Sequence, residues 1–463
     1  MDLFKLRENQ TTVRTEVVAG LTTFFTMAYI IFVNPSILQQ AGMDFNGVLI
    51  ATCVAAAVGT LMMALVANYP FAQAPGMGLN AFFAFTVVLQ NGFTWQQGLA
   101  IVFISGVLFI ILTVTGARSA IVRALPAAVR YAIPAGIGLF ITLIGLNNAG
   151  IVRMNQGPII DIILGAETLE VSALIEQIQQ APPQILEMGN LSSPSVLVAC
   201  IGLIIIGVLY ALRIPGGILF SIILTTVVGL LFGITQLPQS MSMAEVNLAD
   251  TWFKLDFTGL FSTENRSLGQ VIATLLVVII SFSMVDLFDT IGTLIGTADK
   301  AGFLDEKGNL PRMKRSLLAD ALATTFGALL GTSTVTTYIE SNAGIVAGGR
   351  TGLTALVVAI LFLLSIFLAP LAGMVPAAAT APALILVGML MMQSIQKVNF
   401  NNFDEALPAF LTMVLMPFTY SIANGIAAGI IFYVLIKVVK GKFGEISIVL
   451  YLLAGLFVLK FVL

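Results

Sequence analysis

Two stretches of the chain decide the fold, NYPFAQAPGMGLN (Asn68–Asn80) and GTSTVTTYIESNAG (Gly331–Gly344). Each opens an apolar segment with Pro, Gly, Ser or Thr where a membrane-spanning helix would be expected to continue. Lipid cannot satisfy the backbone groups that an interrupted helix leaves unpaired, so such segments must be covered by protein or line a cavity. Interrupted segments at matching places in two halves of a membrane protein indicate a binding site near the midplane.

The composition around these stretches is that of a membrane protein. The 463 residues are 58% apolar and only 10% charged, whereas a soluble chain carries about 25% charged residues. At ~20 residues per span, the apolar content supplies about 13 spans. We therefore expect a lipid bilayer around the chain, and the net charge of −2 excludes a basic nucleic-acid binder.

Two further features of the composition exclude classes of chemistry. The sequence contains no histidine, so no imidazole can act as a base, proton carrier or metal ligand. Its two cysteines, Cys53 and Cys200, lie in separate apolar runs and make no disulfide or metal framework. We expect neither a metal site nor an organic cofactor.

Apolar segments recur along the chain and predict an all-α polytopic membrane protein with about fourteen spans. Lys and Arg concentrate in alternate turns, which predicts that both termini lie in the cytoplasm. We expect the protein in the plasma membrane. The sequence leaves open whether the apolar tail 446–463 crosses the membrane. The predicted apolar cores lie near residues 17–34, 46–68, 77–90, 97–116, 131–148, 194–212, 216–235, 268–297, 317–331, 338–349, 352–372, 381–396, 406–420 and 422–439.

A polar segment close to the midpoint divides these spans into two sets of seven. We predict a first repeat over residues 1–235, an external linker over 236–267, a second repeat over 268–442 and an apolar C-terminal tail over 443–463. An odd number of spans per half turns the second half upside down relative to the first, as in inverted-repeat transporters.

The eighth span, VIATLLVVIISFSMVDLFDTIGTLIG, carries two carboxylates, Asp286 and Asp289. Their i, i+3 spacing places both on one helix face. An aspartate at the centre of a span costs about 2.5–3.5 kcal/mol to insert, so two of them indicate a polar cavity or a proton site. The alternative is that both sit at the end of the helix and are simply solvated.

Glu340 and Asn80 are the outstanding polar residues of the two interrupted spans. Glu340 follows the Ser/Thr-rich TSTVTTY, and we expect it at the start of a half-helix, where it could face a ligand or serve only as a helix N-cap. Asn80 stands beside GMG in the third span, and its alternative is an interhelical hydrogen bond in a tight bundle. We expect Asp320 near the cytoplasmic end of the ninth span, beside the basic run Pro311–Ser316.

These groups suit a small planar polar solute with adjacent N–H donors. Carboxylates accept hydrogen bonds, an amide donates and accepts them, and broken helix ends offer backbone groups. Guanine would meet a carboxylate with its N1–H and exocyclic amine, hypoxanthine with N1–H alone, and adenine would need an amide or a protonated carboxyl. Because histidine is absent, coupling to protons would fall to an Asp or Glu.

Four motifs in order along the chain give it a specific resemblance. The chain resembles the azaguanine-resistance-type purine permeases, the hypoxanthine/guanine/adenine branch of the nucleobase–cation symporters and of the wider nucleobase–ascorbate transporter superfamily. The motifs are AGLTTFFTMAYIIFVNP (Ala19–Pro35), APGMGLNAFFAF (Ala74–Phe85), VDLFDTIGTLIGTADKAG (Val285–Gly302) and GTSTVTTYIESNAGIVAGGRTG (Gly331–Gly352).

The resemblance implies a fold like that of uracil permease, with core and gate domains and a short strand in each of spans three and ten. It also implies proton-coupled purine uptake, a possible homodimer, and important roles for Asn80, Asp286, Asp289 and Glu340. From the residues, we assign substrate binding to Glu340, Asp286 and Asn80, and proton coupling to Asp289 or Asp286. Some adenine-preferring members carry Asn where Asp286 stands, which favours hypoxanthine and guanine here and leaves adenine open.

Three other classes of protein compete with this interpretation. An intramembrane aspartyl protease needs aspartates on facing helices and a GxGD motif, whereas Asp286 and Asp289 share one helix, so we do not predict an enzyme. An anion exchanger of the same fold conflicts with Glu340, which would occupy the positive end of a half-helix that an anion needs. A passive nucleobase facilitator differs from a symporter only in lacking uphill transport driven by a pH gradient.

Overall fold

The computed structural model describes residues 3–116, 125–154, 186–237, 250–261, 268–306 and 310–462. Over these ranges each of the fourteen predicted apolar cores coincides with a helical segment, which we number α1 to α14. The segments are α1 (Val13–Ala41), α2 (Phe45–Ala67), α3 (Met77–Gln90), α4 (Trp95–Thr115), α5 (Ala127–Asn148), α6 (Pro194–Ala211), α7 (Gly217–Leu231), α8 (Leu268–Ala301), α9 (Met313–Leu330), α10 (Ser341–Val346), α11 (Gly352–Ala372), α12 (Ala377–Lys397), α13 (Phe403–Phe418) and α14 (Ile422–Val439).

Nine of these described helices are long and apolar enough to cross a bilayer unaided, and the other five are shorter or less apolar. The shortest is α10, with six residues, which is half of a broken span. Helix α1 is also interrupted, because its two parts, Val13–Met27 and Ile30–Leu38, are separated at Ala28 and Tyr29.

Two short strands complete the broken spans, as the resemblance implies. Strand β1 (Gln73–Pro75) precedes α3, and β4 (Val335–Thr337) precedes α10. They pair antiparallel, with Ala74 opposite Thr336. The interrupted spans of the two halves therefore meet at their strands.

Neighbouring helices satisfy the backbone groups that this two-stranded sheet leaves open. The Thr60 hydroxyl of α2 bonds both the N–H and the carbonyl of Gln73, each at 2.9 Å. The Thr324 hydroxyl of α9 donates to the Val335 carbonyl at 2.9 Å. Because lipid offers no partners for backbone groups, these side chains allow strands to exist inside the bundle.

The helices pack in two groups. One group combines α1–α4 with α8–α11, and its most extensive contacts join α9 to α4 and α2, and α11 to α1 and α2. The other combines α5–α7 with α12–α14, centred on α5 between α12 and α13. In that second group Gly138 of α5 faces the backbone of Gly388 in α12, where any Cβ would collide, so glycine permits the close approach of the two helices.

The polar segments and the tail are described in part. Strands β2 (Val152–Met154) and β3 (Leu186–Met188) pair antiparallel at the two ends of the predicted polar segment 149–193, and residues 155–185 lie outside the described ranges. Of the predicted linker 236–267, residues 250–261 are described between two gaps. The tail forms α15 (Ile448–Val462), which packs on α14 and α8. Its fifteen residues would extend about 22 Å, less than the ~30 Å hydrocarbon core.

Candidate functional site

Glu340 immediately precedes the half-helix α10, where the sequence predicts it. Its side chain makes no capping hydrogen bond to α10. Instead, one carboxylate oxygen accepts a hydrogen bond of 2.7 Å from the hydroxyl of Tyr29, at the interruption of α1. Glu340 is partly exposed, whereas Tyr29 is buried. Glu340 thus occupies the N-cap position of α10, while its carboxylate is held at this broken helix end by a side chain from another span.

Asp286 and Asp289 lie in the interior of α8, which packs against both β4 and α10. Asp286 is fully buried and Asp289 is partly exposed. The Asp289 carboxyl interacts electrostatically with those of Asp320 and Glu340. The alternative of a solvated helix end is wrong for this pair, because α8 continues for several turns beyond them to Ala301.

Asn80 lies in the first turn of α3 and is fully buried. Its side-chain oxygen accepts a hydrogen bond from the hydroxyl of Ser333, which precedes β4. Its side-chain nitrogen has no hydrogen-bond partner among the described residues. This bond comes from the segment before β4 and not from a helix, so it is not the interhelical bond expected as the alternative. It uses only one end of the amide, and two N–H donors remain for a ligand or a water molecule.

A second buried polar cluster adjoins these residues and was not predicted. Asp320 is fully buried in the middle of α9 and accepts hydrogen bonds from the Thr290 hydroxyl of α8 at 2.9 and 3.1 Å. The Gln73 amide of β1 donates to the same carboxylate at 3.4 Å and to Thr337 of β4 at 3.3 Å. The prediction that Asp320 lies beside the basic run Pro311–Ser316 is therefore corrected. Its carboxylate faces the two-stranded sheet and α8.

The amino-acid sequence contains a signal for this cluster. Asp320 is a charged residue within an otherwise apolar stretch, LLADALATTFGALLG, and Gln73 stands inside the interrupted segment that opens the third span. Asp320 lies only a few residues after Lys314 and Arg315. Because of this short separation in the sequence, an ion pair with these basic residues was the simpler prediction. Pairing of β1 with β4 is what brings Gln73 to α9.

Glu16 is a further residue that the sequence analysis did not single out. It is fully buried in the first turns of α1 and accepts backbone N–H bonds from Arg350, Thr351 and Thr354 at 2.9, 3.2 and 3.2 Å. The Thr354 hydroxyl adds a fourth bond at 2.6 Å. A carboxylate at the N-terminus of α11 satisfies backbone donors that the helix itself leaves unpaired.

This contact fixes the connection between α10 and α11. The Arg350 guanidinium donates to the carbonyls of Ile345 and Gly349, each at 2.9 Å, and so closes the C-terminal end of α10. Asn68 accepts the N–H of Gly352 at 2.8 Å. The half-helix that follows Glu340 is therefore held at its far end by residues from three parts of the chain.

The assembled groups are suited to binding rather than to covalent chemistry. Glu340, Asp286 and Asp289 offer carboxylate oxygens from two elements that pack together, and Asn80 offers amide N–H donors from the paired broken span. Carboxylates accept and amides donate, so together they match a small ligand that carries both N–H donors and acceptors on its rim.

Comparisons with known proteins show which family the chain belongs to. The Xan_ur_permease profile, described as "Permease family", matches residues 14–175 and 159–428. The chain is 45% identical over 468 residues to "Adenine permease AdeP" of Escherichia coli (strain K12), which covers 99% of this chain and 95% of that protein. It is 42% identical over 463 residues to "Guanine/hypoxanthine permease PbuO" of Bacillus subtilis (strain 168), with 99% of each chain covered.

A solved structure confirms the fold. The transmembrane domain of the cyanobacterium bicarbonate transporter BicA matches with a TM-score of 0.62 and 16% sequence identity, covering 90% of this chain and 97% of that one. At that identity the likeness concerns the fold alone. The sequence matches extend nearly end to end, and they show that this chain is a multi-pass membrane protein that belongs to the Xan_ur_permease family of permeases, among relatives named for purine nucleobases.

Proposed function

We propose that the chain takes up purine nucleobases together with protons by alternating access. The observation that carries the proposal is the position of Glu340 at a broken helix end. It is partly exposed, bonded to Tyr29 rather than to its own helix, and within electrostatic range of Asp289. A carboxylate held in this way is ready to accept hydrogen bonds from a ligand that enters between the two broken spans.

In this proposal Glu340 binds the N–H edge of the base. Guanine presents two adjacent donors to a carboxylate, and hypoxanthine presents one. Asn80 binds from the opposite broken span with its amide nitrogen, for which the described ranges offer no hydrogen-bond partner. Asp286 assists from α8 and, because it is fully buried here, contacts the base only when α8 and α10 part to admit it.

The proton is carried by Asp289. Three carboxyl groups interact in this region, those of Asp289, Asp320 and Glu340. Like charges placed close together repel one another when all are ionised, and a proton on one of them relieves the repulsion. Asp289 is the member of the α8 pair whose side chain is partly exposed, and for that reason we assign the proton to it rather than to Asp286.

The two packing groups supply the moving parts. The helices α1–α4 and α8–α11 hold all the proposed binding residues, and α5–α7 with α12–α14 form the surface against which they move. Displacement of one group against the other would expose the midplane site to each side in turn. Lys437, Lys440 and Lys442 lie at and just after the C-terminal end of α14. By the positive-inside rule, we assign this end of the helix to the cytoplasmic side of the plasma membrane.

The test is uptake of radiolabelled hypoxanthine into cells that lack their own nucleobase carriers, with guanine, adenine, xanthine, uracil, sulfate and bicarbonate as competitors. We expect competition from purines and none from the inorganic anions, and uptake should fall when a protonophore is added. Glu340→Gln should abolish uptake with the protein still inserted, whereas Glu8→Gln, an exposed surface change, should not alter it. Competition by bicarbonate alone would favour an anion exchanger, and uptake insensitive to the protonophore would favour a facilitator.

A further inference from the structure

A cavity of about 350 Å³ lies between the two packing groups, away from the carboxylates. Its walls come from the ends of α1, α3 and α5 and from the turn between α13 and α14. The ends of odd-numbered spans share one side of the bundle, opposite to the start of α1, so this side faces outward in the proposed orientation. The volume falls within the range of small-molecule sites, about 300–1,000 Å³.

Four of the lining side chains are amides, contributed by Gln40, Gln90, Asn147 and Asn148. In the part of the chain that the structure describes, the amides of Asn147 and Asn148 have no hydrogen-bond partner in the protein, and both are partly exposed to the cavity. Each amide both donates and accepts. A wall of such groups can match the mixed donor and acceptor edge of any purine, which a carboxylate cannot.

Aromatic rings form another part of the cavity and join the two packing groups. Phe85 of α3 and Tyr420 of the α13–α14 turn both line it. Phe140 of α5 contacts both of them edge to face, with ring centroids 5.9 Å from Phe85 and 5.5 Å from Tyr420. A flat heterocycle stacks well on such rings, and stacking on a protein aromatic is indifferent to which base is bound.

The turn that carries Tyr420 is fastened across the boundary. Tyr420 has a φ of 52°, a left-handed backbone conformation that is costly for a residue with a bulky side chain. Two side chains of α3 hold this turn, since Gln90 donates to the Thr419 carbonyl at 2.9 Å and Thr86 donates to the Tyr420 carbonyl at 3.4 Å. Strained backbone fixed by its surroundings is a recurring feature of sites that bind or gate.

We propose that this cavity is an outer vestibule that binds a nucleobase before it reaches the buried carboxylates. In the vestibule, the amides of Asn147 and Gln40 bind the edge of the base and its face rests on Tyr420 or Phe85. This inference rests on the proposed function, since it places a first binding step on the same transport path.

The first experiment measures uptake kinetics of hypoxanthine and adenine for the double variant Gln40→Ala, Asn147→Ala. Losing two hydrogen bonds to the base should raise KM about tenfold for both purines. The maximal rate should change less than twofold, because the carboxylates are untouched. Gln39→Ala is the matched control, an adjacent exposed glutamine that does not line the cavity. A KM equal to that of the wild type in the double variant overturns the vestibule.

The second experiment is independent of turnover. Leu89→Cys places a thiol in the cavity at an exposed position, in a Cys200→Ser background in which the remaining native cysteine is buried. Hypoxanthine should slow modification of this thiol by a membrane-impermeant reagent severalfold, and should leave Gln39→Cys unaffected. The protection should persist when Glu340→Gln is added. Equal modification rates with and without hypoxanthine overturn the proposal.

The outcomes separate the two proposals. Wild-type protein that takes up no purine contradicts the proposed function, while protection of the thiol in the Leu89→Cys variant by hypoxanthine would still support a vestibule. Normal purine uptake that depends on Glu340, together with an unprotected thiol and an unchanged KM, overturns the vestibule alone.

Discussion

Replacing Tyr29 by phenylalanine removes one hydroxyl and asks whether Glu340 is held in place for a ligand. Tyr29 lies at the interruption of α1, is buried, and its hydroxyl donates a hydrogen bond to Glu340 at 2.7 Å. The ring of phenylalanine fills the same space. The change therefore tests the hydrogen bond with little disturbance of packing.

The size of the effect follows from the type of bond. A hydrogen bond to a charged group contributes about 1.5–3 kcal/mol, and every 1.4 kcal/mol corresponds to tenfold in an equilibrium constant. If the bond orients Glu340 for the base, Tyr29→Phe should raise the KM for hypoxanthine by roughly 10- to 100-fold. Without the hydroxyl of Tyr29, the ligand itself would have to order the carboxylate of Glu340, and this cost would weaken binding.

The assay is initial-rate uptake of radiolabelled hypoxanthine, normalised to the amount of transporter in the membrane. Tyr210→Phe is the control, since Tyr210 lies on the exposed surface of α6. Its KM should match that of the wild type. A Tyr29→Phe variant that is inserted normally and has a KM within twofold of the wild type would refute the claim that this bond prepares Glu340.

Three further predictions concern other parts of the molecule. Glu16→Gln should lower stability by about 3 kcal/mol, because the amide nitrogen cannot accept the bonds that the second carboxylate oxygen receives; a melting temperature in detergent no lower than that of Glu8→Gln would contradict this. Asp286→Asn should shift the ratio of adenine to hypoxanthine uptake towards adenine, and an unchanged ratio would show that Asp286 does not contact the base. Lys437 lowers the pKa of Glu445 by a hydrogen bond, so this contact should hold α15 at neutral pH and fail only as pH falls below about 4.3. A spin label on α15 that became mobile near pH 7 would count against it.

The sequence predicts the helices of this fold well, because the signals for them are local. Hydropathy alone marks all fourteen segments, and Pro, Gly, Ser and Thr mark where the third and tenth are interrupted. Three of the proposed site residues stood out for the same reason, since Asp286, Asp289 and Glu340 are acidic groups within or beside apolar runs. Asn80 stood out as the polar residue beside GMG.

What the sequence could not show are contacts between residues far apart in the chain. Tyr29 and Glu340 are separated by 311 positions, and Glu16 and Arg350 by 334. Neither tyrosine nor a glutamate near the start of a span is unusual by itself. Asp320 was assigned to the nearest basic residues, whereas its partners Gln73 and Thr290 come to it through strand pairing and the packing of α8 on α9.

The central claim is that carboxylates inside the bundle bind a purine and a proton together, and purified protein in proteoliposomes tests it most directly. With an acidic exterior and a neutral interior, hypoxanthine should accumulate inside above its external concentration. Collapse of the pH gradient or the Glu340→Gln change should abolish this accumulation. Equal internal and external hypoxanthine in the presence of the gradient would contradict the account.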